Sequence, residues 1–139
     1  MSILGKGIYY RNTGLLLLRL GMGLSFAFLH GWPKISGGEE RWRWLGEQMK
    51  YLGIDFWPIF WGFSASLVEF AGAIFIAVGL FTKWNALLLA FVMLVAAQYH
   101  LQTGTGIGEA SHALESLIVF LTIFFMGPGK YSFDKLFNR

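Results

Sequence analysis

Seven side chains of this sequence have the type and setting to do chemistry: Arg19, His30, Lys34, Glu69, His100, His112 and Glu115. Arg19, Glu69 and Glu115 stand inside apolar runs, the three histidines at the ends of such runs, and Lys34 just beyond one. A charge at mid-bilayer costs roughly 2.5–3.5 kcal/mol on insertion scales, so groups of this kind are normally paired or functional. Carboxylates and imidazoles arranged in one polar seam would carry protons, and a cation beside them would hold a polar head group. Glu69, Glu115 and His100 are therefore the candidate proton carriers, and all seven are candidate ligand-binding residues; no catalytic residue is assigned outright. Spacing supports a common seam. Arg19 and His30 lie about three turns apart on one helix face, and His112 and Glu115 stand at i, i+3. Glu69 falls on a stripe of small residues with Gly62, Ala65 and Gly72, where another helix can approach closely. The plainer reading of the same residues is a buried Arg19–Glu69 pair with hydrogen-bonded histidines fixing helix register. For His112 alone, capping the start of a helix is favoured. A haem or metal centre on His30, His100 and His112 is disfavoured because no local ligand spacing supports it.

The elements that must position these groups follow from the apolar runs. The chain has 139 residues, 55% of them hydrophobic and 14% charged, with the charges gathered between apolar stretches. That is one domain's worth of chain, with too few polar groups to clothe a soluble surface. About 17–25 helical residues cross a bilayer, which predicts helices over about 13–30, 57–81, 84–101 and 109–126. Asn12 or Thr13 would cap the first helix and Pro33 would close it. Pro58 suits the first turn of the second, and Gly127-Pro128-Gly129 would stop the fourth. Between the first two spans, Trp42, Leu45, Met49 and Leu52 recur at helical spacing opposite Arg43, Glu47 and Lys50, with Glu39–Arg43 and Glu47–Lys50 spaced for pairing. This segment, about 39–52, reads as an interfacial helix or a lid on the bundle's mouth. The fold class is all-α: a bundle of four transmembrane helices with an additional amphipathic helix, forming a single transmembrane domain over 1–139.

The six tryptophans fall near predicted helix ends or in segment 39–52, as an aromatic belt requires. Lys6, Arg11, Lys83, Lys130, Lys135 and Arg139 outnumber the basic residues of the other side, which places both termini in the cytoplasm. A pI near 9.3 with its cations scattered around membrane segments points to lipid head groups, not nucleic acid. Without cysteine there is no thiol redox chemistry and no thiolate metal ligand. Arg19 and the sequence after His30 do not fit a cleavable leader, so the first helix is expected to be retained. A faint duplication relates the Ser64–Lys83 and Ser111–Lys130 stretches, with Glu69 and Glu115 near corresponding positions. Ser132 stands where a short C-terminal helix would be capped.

Taken in order, Arg19, His30-Gly31-x-x-Lys34, Glu69-x-x-Gly72, Gly79-Leu80-Phe81-Thr82, a helix ending at His100, Glu115, and Gly127-Pro128-Gly129-x-x-Ser132-x-Asp134 resemble the DoxX family of small four-helix membrane proteins. The match covers nearly the whole chain; the closing motif is its most specific part, and 39–52 maps least well. The resemblance implies an association with quinol oxidase or thiosulfate:quinone oxidoreductase assemblies, or with oxidative or quinone stress. It also implies that Arg19, His30, Lys34, Glu69, His100 and Glu115 are the recurring polar positions. The expectation is a small inner-membrane subunit serving a quinone through the polar seam, with electrons passing to partner subunits, in a bacterium or archaeon. Two rivals stand beside it: a non-catalytic scaffold of a larger complex, and a transporter of small molecules or lipids that would act as a homo-oligomer.

Overall fold

In lipid a backbone must satisfy its own hydrogen bonds, so apolar runs of this length have only the helix available. The computed structural model describes residues 3–138, without the side chains of residues 3–9 and Glu109; of the cations counted above, the Lys6 side chain and Arg139 thus lie outside what is described. Helix α1 begins as Ile3–Ser25, passes through a π-helical stretch, Phe26–Gly31, and ends as Trp32–Ile35. Helix α2, Gly38–Glu47, tightens into a 3₁₀ turn, Gln48–Leu52, and stops at Gly53. Helix α3 is Pro58–Leu67, a second π-helical stretch Val68–Gly72, and Ala73–Val78. Helices α4, Thr82–Gln102, and α5, Ile107–Met126, are regular, and α6 is the short Phe133–Phe137. Among the described residues three helices are long and apolar enough to cross a membrane: Tyr10–Ile35, Pro58–Val78 and Thr82–Gln102; Ala110–Met126, within α5, is a further apolar stretch.

Two expectations about α1 are corrected. Asn12 and Thr13 do not cap it, because the helix already runs from Ile3; the Asn12 amide oxygen instead accepts the Lys130 backbone N–H at 2.9 Å. Pro33 does not close it either. The π-helical stretch ends immediately upstream, and Pro33 falls in the first turn of the resumed helix, where its missing N–H is least needed.

The core is built from small residues, Ala27, Ala73, Ala86, Ala90, Ala97 and Ala113, around Phe26, Ile76, Leu89, Met93, Phe120 and Ile123. Side chains this small let backbones approach closely where lipid offers no hydrophobic drive to squeeze helices together. The large apolar side chains point outward: Leu29 is 70% exposed and Phe125 78%, a distribution suited to acyl chains and costly in water. α4 packs chiefly on α5, and α2 on α3. The α2–α3 contact depends on two glycines. A Cβ on Gly46 would lie 1.6 Å from the Pro58 carbonyl oxygen, and one on Gly62 1.6 Å from that of Trp42.

Candidate functional site

The two π-helical stretches pack against each other. A π turn inserts one extra residue and re-aims the side chains around it. Gly31, the last residue of the first stretch, lies so close that a Cβ there would be 2.5 Å from the Phe70 backbone nitrogen and 2.6 Å from the Glu69 carbonyl carbon. This approach brings Lys34, one turn later, onto Glu69. The ammonium meets both carboxylate oxygens at 2.8 Å. Glu69 is 2% exposed and Lys34 22%. The expected Arg19–Glu69 pair is therefore replaced by Lys34–Glu69, because the bulges rotate Lys34 inward.

The pair borders an apolar pocket of about 230 Å³ enclosed by the end of α1, by α2, α3 and α4. Leu45, Gln48 and Met49 of α2 form its roof, and Val68, Val92 and Val95 its walls. The Trp42 indole N–H donates to the Lys34 carbonyl at 3.1 Å, tying the roof to α1. At the other side Leu88 and Phe91, both about half exposed, mark where the pocket meets the bundle's apolar exterior. Trp61 also lines it, and its buried Nε1 donor has no hydrogen-bond partner among the described residues. An unmade bond at a buried donor costs about 1–3 kcal/mol, so a ligand oxygen there would be rewarded.

Trp61 and Gln48 were missed by sequence reasoning. Trp61 was counted in the aromatic belt, although it lies on the same helix as Glu69, about two turns before it. Gln48 is a buried polar residue beside the apolar stripe of α2. Of that helix's two expected pairs, Glu39–Arg43 forms at 3.4 Å, while Lys50 lies over the Tyr51 ring instead of reaching Glu47.

The remaining candidates do not join one seam. Arg19 is buried at the end of the bundle that carries the termini. Its Nη2 donates to the Tyr131 carbonyl, and its Nε and Nη1 have no hydrogen-bond partner among the described residues. Gly79 lies against it, in a left-handed conformation with no room for a Cβ beside Nη1. Asp134 completes this knot. Its backbone N–H donates to the Gly79 carbonyl at 2.8 Å, and its carboxylate accepts from the backbones of Phe81 and Thr82 at 2.7 and 2.8 Å. Phe81 has φ of 47°, a conformation costing roughly 1–2 kcal/mol for a residue with a side chain; the charged cap offsets that cost. Ser132 caps α6 through the Lys135 N–H at 3.2 Å, as its sequence position suggested.

His30 belongs to the first π-helical stretch and stacks on His112 at 4.8 Å, with Phe26 beside both. His112 therefore does not cap α5, whose N-cap is Gly106. His100 turns away to Thr105 Oγ1, at 3.0 Å. Glu115 is exposed on the outer face of α5 and makes no ion pair or hydrogen bond to a described residue. The two-copy symmetry suggested by the sequence breaks here: Glu69 is buried in a π bulge, whereas Glu115 rides an unbroken helix. Among the described residues no three His, Asp or Glu side chains converge as a metal site requires.

A family model described as DoxX matches residues 14–101. The chain is also 31% identical over 137 residues to Inner membrane protein YqjF of Escherichia coli (strain K12), covering 92% of this chain and 95% of that protein. No solved structure matches.

Proposed function

The chain belongs to the DoxX family, and from that premise we propose that it is an accessory of a quinone-linked redox or oxidative-stress system, binding a quinone ring in the pocket beneath α2. In this reading α5 is the fourth membrane span, α2 lies in the interface, and both termini face the cytoplasm of a bacterial or archaeal cell. The observation that carries the reading is the joining of an apolar slot, an unpartnered indole N–H and a Lys34–Glu69 pair in one cavity. The volume decides the class of ligand. Drug-sized ligands occupy about 300–1,000 Å³, so about 230 Å³ suits a single ring with the remainder of the molecule outside. A quinone has that form: a planar apolar ring, two carbonyl oxygens for the Trp61 and Lys34 donors, and a tail that can leave past Leu88 and Phe91 into lipid. Glu69 is positioned to exchange a proton with a carbonyl oxygen as its charge changes. With no thiol available, electrons reach the ring from a partner subunit.

The test uses purified full-length protein and a short-tailed quinone analogue, read by fluorescence or calorimetric titration. Glu69→Gln and Trp61→Phe should weaken binding, while His100→Ala should not, since His100 points to Thr105. Equal binding by all four proteins would sink the proposal. The scaffold reading draws on the outward face of α2, where Trp44, Glu39 and Arg43 are exposed and could meet a partner subunit. It requires that substitutions at those three α2 residues, not the pocket ones, abolish complex recovery.

A further inference from the structure

The knot end of the bundle carries a second pair of concavities, unrelated to the pocket beneath α2. One, about 500 Å³, is lined by Arg11, Asn12, Lys130, Asp134, Lys135 and Asn138 among others. The other, about 340 Å³, shares Lys130 and Lys135 but continues over Val78, Tyr131, Phe133 and Leu136. Residues more than a hundred positions apart thus form one basin with a cationic half and an apolar half. The basin is held in shape by bonds across its floor. The Lys130 backbone N–H donates to Asn12 Oδ1 at 2.9 Å, and Arg11 Nη2 donates to the Met126 carbonyl at 3.3 Å.

Its charge is only partly neutralised from within. Neither Arg11, Lys130 nor Lys135 forms an ion pair with a described residue. The carboxylate in the lining, Asp134, accepts from the Phe81 and Thr82 N–H groups and is held by that cap, so its single charge offsets one of the three cations. The apolar side chains that line the basin are exposed: Phe133 and Leu136 on α6, and Val78 at the end of α3. Cations next to exposed aromatic and aliphatic side chains mark the depth of lipid head groups.

We propose that this basin binds an anionic phospholipid, its phosphodiester among Arg11, Lys130 and Lys135 and its glycerol and first acyl carbons along Val78 and Leu136. A phosphodiester fits three cations of which the one lining carboxylate, Asp134, can offset only one. The apolar half is what a free phosphate would leave unused, and it is the reason to assign a lipid as the source of the anion. Lipid bound here would bridge α1 and the segment after α5, adding a non-covalent clamp to the knot around Arg19.

The test delipidates the purified full-length protein and adds phosphatidylglycerol or phosphatidylcholine of matched chains, counting retained lipid by native mass spectrometry. Wild type should retain phosphatidylglycerol preferentially. Each cation near a surface is worth about a factor of five, so K135Q should lose about five-fold of that preference and R11Q/K130Q/K135Q nearly all of it. R41Q/R43Q, on α2 at the opposite end, should retain it in full. If the triple variant does not fold, K135Q carries the test, since the Lys135 side chain forms no ion pair with a described residue. Equal retention of the two lipids by wild type, or an unchanged preference in K135Q, overturns the proposal. Inorganic phosphate at millimolar concentration is the third arm. If it displaces phosphatidylglycerol and stabilises the protein equally, the site is for a soluble anion and the lipid assignment fails.

Discussion

Arg19 and Lys34 are both cations drawn from one helix into apolar surroundings, and the two ends of the bundle treat them differently. Arg19 is held by a backbone carbonyl and by close packing against Gly79, in a knot where Asp134 spends its carboxylate on two backbone N–H groups. Lys34 is held by one side chain, Glu69, at the border of a cavity with an unpartnered indole donor. Backbone partners cannot leave without unfolding a helix end. Side-chain partners at a cavity can be exchanged for a ligand's oxygen at little structural cost. The same charge type is therefore a fastener at one end and a binding group at the other.

The comparison breaks most sharply at the roof of the pocket. Gly62→Ala places a Cβ against the Trp42 carbonyl, where neither backbone can yield, and should cost about 3 kcal/mol or more. Hydrogen exchange should show residues 38–52 released while the Arg19 knot keeps its protection; loss at both ends together would mean that the ends are not separable. Removing one partner of the buried pair comes next. Glu69→Ala should destabilise by about 3 kcal/mol, somewhat less if water reaches the partly exposed Lys34, and the Lys34→Met/Glu69→Met double variant should recover most of it. Thermal unfolding measures this, and a double variant no better than the single would disprove the ion pair's role. Asp134→Asn removes the charge from two backbone hydrogen bonds and should cost about 1–2 kcal/mol. Quinone-analogue affinity should stay at the wild-type value, because nothing in the pocket touches Asp134. The smallest stability effect is expected for Trp61→Phe. It deletes a donor with no partner, so the unfolding temperature should hardly move, while affinity for the analogue falls about two- to tenfold. A large stability loss with unchanged binding would reverse the assignment of that end.

Much of the fold was legible because membrane helices announce themselves by length and apolar content. Three of the four expected spans, a helix between the first two of them and the Gly127 stop all follow from local composition. What composition could not show was helix phase. Two π-helical stretches rotate everything after them, which is why Lys34 reached Glu69 and Arg19 did not, and why Pro33 lies inside α1. The candidate site was legible in its charges but not in its apolar walls, since Val68, Phe91 and Val92 look like any lipid-facing residue until a neighbouring helix covers them.

The sequence by itself determined that the chain is helical, lives in a membrane and belongs to the DoxX family, because those properties rest on composition and order; the Gly79–Thr82 and Gly127–Asp134 motifs were legible in it only as separate stretches. The tertiary structure decided that the two motifs lock together through Asp134, that Glu69 is buried while Glu115 is exposed, and that the amphipathic helix roofs a pocket. Each of these depends on which faces meet. That is set by backbone approaches of a few ångströms at Gly31, Gly46 and Gly62, a scale that periodicity does not resolve.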